Sequence, residues 1–220
     1  MDLLTLSNNI LSSKIITNIS YDFRKFLNIK KSHNSMGIMT VETDLLAYTA
    51  FDEVTKFLDV EVIYAKSTYC GHQRATTKLA GEFIGIICGE NPDEIKNALN
   101  FISHYMDRGA GEIQFANDDE GIPFYCKLIS KPGSYFSNIA NSNDEALCFL
   151  IAPPLEAVYA IDAALKATSA HLRYNFAPPT ATNFSGAILG GSESTCREAC
   201  LAFTKAMNEI AKNPKDSLKN

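Results

Sequence analysis

Apolar and polar positions along this chain follow helix-like and strand-like rhythms, and the order of those rhythms occurs twice. Residues 45–56 and 155–166 place apolar side chains three and four apart, which predicts an amphipathic helix in each. The two segments share Leu45 and Leu155, Ala47 and Ala157, Ala50 and Ala160, Asp52 and Asp162, and Lys56 and Lys166, all 110 residues apart. Five identities in twelve positions are weak evidence for one helix alone, so the neighbours decide. Each helix is preceded by an apolar strand candidate (36–41 and 146–151) and followed by a second (60–65 and about 170–176). Each half then runs through a glycine-containing apolar stretch (81–88 and 184–189) into a glycine corner, Gly89-Glu90-Asn91 or Gly190-Gly191-Ser192. A closing helix follows in both. This is an internal duplication.

The closing helices carry their own start signals. Asn91 is an N-cap, Pro92 takes the first helical position and Glu94 the third, a set that satisfies orphan backbone donors and presets the backbone angle. Ile95, Ala98, Leu99, Ile102 and Tyr105 then form one apolar stripe. In the second half Ser192 caps, Cys196, Ala199, Cys200, Phe203, Met207 and Ile210 form the matching stripe, and Pro214 ends it. Between the repeats, 112–116 and 124–130 predict two strands followed by a Lys131-Pro132-Gly133-Ser134 turn, with 13–20 as the equivalent lead-in of the first half. Strands alternating with helices, twice over, predict an α/β (α+β) protein of two domains, 1–111 and 112–220, each with helices packed on a sheet.

Composition narrows what such a fold does. The 220 residues are 46% hydrophobic and 20% charged, enough for a sizeable core. Net charge is −5 and Lys and Arg are dispersed, which excludes the clustered basic face of a nucleic-acid binder or a basic membrane-surface protein. The longest apolar runs fall far short of the ~20 residues of a membrane span, and no secretory pattern opens the chain. Six cysteines without a Cys-x-x-Cys pair read as buried thiols of a reducing, cytoplasmic setting.

The motifs of common enzyme classes are missing: there is no Gly-x-Gly-x-x-Gly, P-loop, Gly-x-Ser-x-Gly or His-Glu-x-x-His. Cys196 and Cys200 share a helix face but fall on the apolar stripe without a histidine, so core packing outweighs metal ligation. His33, His72, His104 and His171 have no ligand spacing, and His72 sits in a polar loop, Cys70-Gly71-His72-Gln73-Arg74. Three acids stand apart. Asp44 follows a strand, Glu82 interrupts an apolar strand where a carboxylate needs a partner or an aqueous channel, and Glu156 follows Pro153-Pro154 at a helix start, where it favours the dipole.

The repeated Asp-x-x-x-Lys at the end of an Ala-rich helix, set in tandem α/β units, resembles the bacterial microcompartment shell domain. Ser35-Met36-Gly37-Ile38-Met39, Val60-Glu61-Val62-Ile63-Tyr64-Ala65 and above all the block from Ala152-Pro153-Pro154-Leu155-Glu156 to Ala164-Leu165-Lys166 are similar to the L type of ethanolamine-utilisation compartments. The likeness runs from about Leu11 to Pro214. It implies two circularly permuted shell domains with helices on antiparallel sheets, and a homotrimer shaped as a hexagonal tile that packs with other shell proteins. It also implies a central pore gated by loops of the second domain, with Tyr135 and Phe136 near the gate, and small pores that bind ethanolamine as a regulatory ligand. By the resemblance Asp44, Glu82 and Glu156 line the small pore, Thr182 and the backbone near Ile113 complete it, and Lys56 and Lys166 lie at tile edges. The chain departs from the family in having Leu45 where a second acid often follows Asp44, which weakens the negative field. Some relatives bind cobalamin near the central pore; no residue here is assigned to it, and no metal or other cofactor is expected.

The expectation is therefore a non-enzymatic microcompartment shell protein that controls the passage of metabolites. Two rivals stand beside it. One is a small-molecule sensor of the same fold without shell assembly, separable by mutation of Lys56 and Lys166. The other is an enzyme using Glu82 or Asp44 as general base, which has no partner nucleophile in the sequence.

Overall fold

The structure is a computed structural model that describes residues 9–68, 78–118, 121–176 and 183–215. The chain forms two compact units. The first comprises 9–110 together with Pro132–Phe136, and the second comprises Gly111–Lys131 and the residues from Ser137 onward.

In the first unit the order is β1 (Ile10–Ile16), α1 (Tyr21–Phe26), β2 (Ser35–Val41), α2 (Ala47–Val54), β3 (Glu61–Ser67), β4 (Phe83–Gly89) and α3 (Pro92–Gly109). The strands form one antiparallel sheet in the order β1-β2-β4-β3. The central strands β2 and β4, each flanked by a strand on either side, are the most apolar and the most buried. Glycine lets the helices come close. A Cβ on Gly37 would lie 2.8 Å from Ile95 Cγ2 of α3, and one on Gly85 would lie 2.2 Å from the Phe51 ring of α2. The start of α3 is as the sequence predicts: Asn91 accepts the Glu94 N–H at 2.9 Å, and Glu94 accepts the Glu90 N–H at 3.2 Å.

The second unit repeats the plan. It holds β5 (Gln114–Phe115), β6 (Pro123–Ile129), β7 (Ala146–Ala152), α5 (Pro154–Ala167), β8 (His171–Phe176), β9 (Ser185–Gly191) and α6 (Glu193–Lys212), and α4 (Ser134–Ala140) begins within the 132–136 segment. Its antiparallel sheet runs β5-β6-β7-β9-β8, the first unit's order with one short strand added at the edge. Both sheets carry a register shift in the same edge pair, between Val62 and Tyr64 and between Leu172 and Tyr174. Those positions are separated by the same 110 residues as the two helices. Phe124, Leu150, Phe203 and Met207 anchor the core between sheet and helices.

Several expectations shift. Helix α1 was not foreseen; its apolar residues Tyr21, Phe23 and Phe26 are exposed, so no buried stripe marks it. The strand expected over 112–116 shrinks to two residues, because a 3-10 turn (Ala110–Glu112) precedes it and Asn117 takes φ 53° just after it. The lead-in strand starts at Ile10, earlier than expected. No described helix is long and apolar enough to cross a membrane.

Candidate functional site

The first unit gathers two of the predicted acids at one end of its sheet. Asp44 lies in the turn between β2 and α2 and is only 4% exposed. Glu82 occupies the bend just before β4, so it does not interrupt the strand as expected; the ladder begins one residue later, at Phe83. Its backbone carries the pairing past the strand ends: the Glu82 N–H donates to Glu42 O at 3.1 Å, and the Thr68 N–H donates to Glu82 O at 2.7 Å. Gly81 is required there, because a Cβ would sit 1.8 Å from Val41 O.

Around these acids the end of the sheet is lined with oxygen. The Tyr48 hydroxyl and Ser67 Oγ share a hydrogen bond of 2.7 Å, Thr68 Oγ1 donates to Gly81 O at 2.7 Å, and Asn9 Nδ2 donates to Glu42 Oε2 at 3.1 Å. A carboxylate as deeply buried as Asp44, amid such acceptors, favours a small cationic ligand able to donate several hydrogen bonds. Tyr48, Ser67 and Thr68 have no motif in the sequence. Their only signal is a polar cluster straddling a predicted strand end.

The remaining predicted positions lie in the second unit. Glu156 stands half-buried in the first turn of α5, behind Pro153 and Pro154. Ile113 is buried in the residue before β5, and Thr182 lies outside the described residues. The loop containing His72 also lies outside them.

The repeated Asp-x-x-x-Lys motif behaves differently in its two copies. In α5, Asp162 pairs with Lys166 at 2.6 Å on the exposed surface. In the first unit Asp52 turns inward and is almost wholly buried. Its carboxylate accepts the N–H groups of Gly133 and Phe136, both at 2.8 Å, while Thr55 Oγ1 accepts the Ser134 N–H at 2.9 Å. Lys56 pairs with Glu53 instead. Burial pushes the Asp52 carboxyl above its usual range, opposed by the two N–H donors and Lys56. The turn that carries Tyr135 and Phe136 is thus pinned to α2, and a Cβ on Gly133 would lie 2.3 Å from Asp52 O.

Two further clusters occur in the second unit. Arg173 grips Asp144 through Nε at 2.6 Å and a second nitrogen at 2.8 Å, holding that carboxyl below its ordinary range. Asp144 borders an open polar groove of about 580 Å³ also lined by Asn143, Glu145, Ser169, His171 and Thr195. Cys196 belongs to the core and Cys200 packs against it, as the core-packing reading expects.

No family model matches the chain. A curated relative from Clostridium perfringens, the bacterial microcompartment shell protein EutL, is 48% identical over 207 residues, covering 94% of this chain and 95% of the relative. The crystal structure of EutL from the same species superposes with a TM-score of 0.91 at 46% identity, covering 100% of this chain and 99% of that one. The crystal structure of the ethanolamine utilization protein EutL from Leptotrichia buccalis gives 0.88 at 42% identity, covering 96% and 97%.

Proposed function

This chain belongs to the EutL family of bacterial microcompartment shell proteins, and from that premise we propose that it assembles as a homotrimeric tile whose small acidic pores bind ethanolamine. Its role is structural, in a protein shell, and not enzymatic. The sensor that never assembles is set aside by the same membership.

One observation carries the trimer. The first copy of the repeated helix is covered and the second is bare. Along α2, Tyr48, Thr49 and Asp52 are buried, whereas along α5 their counterparts Val158 and Tyr159 are 53% and 54% exposed and Asp162 faces solvent. The cover of α2 comes from the 132–136 segment, where Phe136, third residue of α4, is fully buried. Helix α1 holds the corresponding place in the first half, between the lead-in strand and the central strand. Its third residue, Phe23, is 43% exposed, and Ser20 before it makes no side-chain cap. The unmet surfaces are complementary: α1 of one copy covers α5 of the next, with Phe23 in the part of Phe136 and Asp162 in the part of Asp52. Three copies, each contributing two domains, then close a six-domain ring. On this reading Phe23→Asp leaves a folded monomer in sedimentation, and a trimer that survives it would overturn the interface.

Ethanolamine suits the acidic end of the sheet. Its ammonium offers three donors and a charge to Asp44 and Glu82. Occupancy regulates the central pore only through a difference in affinity between its open and closed states. Calorimetry of the trimer with ethanolamine tests this. Saturable binding, weakened about 10- to 100-fold by Glu82→Gln, is expected for the loss of one charge-assisted bond. Lys56 and Lys166 are proposed as tile-edge contacts. Their alanine variants should remain trimers yet fail to form sheets under the electron microscope.

A further inference from the structure

The repeated motif holds one aspartate in two different bonding states. In the first unit Asp52 accepts the N–H groups of Gly133 and Phe136, and Lys56 pairs with Glu53. In the second unit Asp162 still holds Lys166 at 2.6 Å, with both side chains largely in water, 59% and 76% exposed. Sequence explains why the second lysine keeps its aspartate. Glu53 stands three residues before Lys56, and the residue at that place before Lys166 is Ala163. Asp162, one turn earlier, is therefore the carboxylate that α5 offers to Lys166. Backbone donors equivalent to those on Asp52 exist elsewhere in the chain. Gly133 is the residue before α4 and Phe136 is its third residue; the same places on α1 are Ser20 and Phe23. N–H groups of a first turn have no partner inside their own helix, and Ser20 supplies no side-chain cap.

We propose that Asp162 exchanges partners when the trimer closes: it lets go of Lys166 and accepts the backbone N–H groups of Ser20 and Phe23 on the neighbouring copy. This rests on the α1–α5 interface proposed above, and it makes Lys166 a competitor of that interface. The first unit shows the finished state, because Asp52 has made the same exchange within its own chain and is 1% exposed. The competition has a definite sign. An exposed ion pair is worth little, so Lys166 weakens the association by at most about fivefold per interface. Two charge-assisted bonds to backbone donors are worth more, and the exchange runs toward the trimer. Lys166 is then released for the tile edge only after the ring has closed, so tiles form before sheets. Lys56 competes with nothing, since Glu53 holds it apart from Asp52.

Sedimentation equilibrium of the full chain tests the exchange, at low salt and with enough urea to populate monomer beside trimer. Lys166→Ala should tighten the trimer about 2- to 5-fold per interface, whereas Lys56→Ala, which removes the same charge, should leave it unchanged. Asp162→Asn should weaken it about 10- to 100-fold per interface. In the double variant Lys166→Ala, Asp162→Asn the lysine effect should vanish, because the lysine acts only through Asp162. Both residues are exposed, so neither substitution threatens the fold. A Lys166→Ala trimer no tighter than wild type, an Asp162→Asn trimer of undiminished strength, or a lysine effect that survives in the double variant overturns the exchange. Trimers that persist in Phe23→Asp overturn the α1–α5 interface itself, which tells the two failures apart.

Discussion

At the scale of single residues, two carboxylates respond to acid in opposite ways. Asp52 has its carboxyl raised above 3.8 by burial, so its favourable contribution is complete below that pH and is lost as the pH rises through the folded-state value. Asp144, held below 3.8 by Arg173, contributes above that pH and loses its contribution as the pH falls through its lowered value. Asp144→Asn should therefore cost about 1 kcal/mol in urea denaturation at pH 7, and progressively less as the pH falls through the lowered value. Gly190→Ala should reproduce that loss, because its Cβ would fall 2.0 Å from Asp144 Oδ2. Asp52→Asn keeps one acceptor but turns an amide N–H toward a backbone donor. It should cost about 1–3 kcal/mol in the first unit's unfolding at neutral pH.

Among the elements, α3 and α6 show how far pattern reaches. Their caps, Asn91 and Ser192, and their stripes of Ile95, Leu99, Cys196 and Phe203 are legible because one buried face imposes one period. Asn91→Ala should lower the melting temperature by the equivalent of about 1 kcal/mol, the usual worth of an N-cap. Helix α1 was hidden for the opposite reason, since six residues with outward aromatics make no stripe. The candidate site was legible only in part. Asp44 and Glu82 stand out as acids near strand ends, but Glu82 lies in the bend before the strand, which begins at Phe83 just past the close approach that Gly81 permits. The inward turn of Asp52 could not be read at all. Asp162 holds the same place in the repeated motif and faces solvent, so the difference comes from a segment 81 to 84 residues away.

For the whole molecule, duplication gives the repeated helix in two versions, one covered within the chain and one bare, and the proposed trimer would cover the bare one with another copy. The bare α5 face with Leu155, Val158 and Tyr159, and the exposed aromatics of α1, are the unmet halves. Their joint burial should make trimer formation strongly dependent on Phe23 and Tyr159. Sedimentation of Tyr159→Asp is expected to give the same monomer as Phe23→Asp.

The clamp between Asp52 and the Gly133–Phe136 turn also sets an order of events on the ribosome. The first unit is not finished at Ala110, because the backbone donors that satisfy its buried carboxylate are translated only afterwards. At roughly 5–20 residues per second, those donors follow within a few seconds. Until then the nascent first unit holds a buried acid without its partners. A released chain of residues 1–110 should be cleaved by a protease much faster than one of residues 1–140, although both contain every strand of the first sheet.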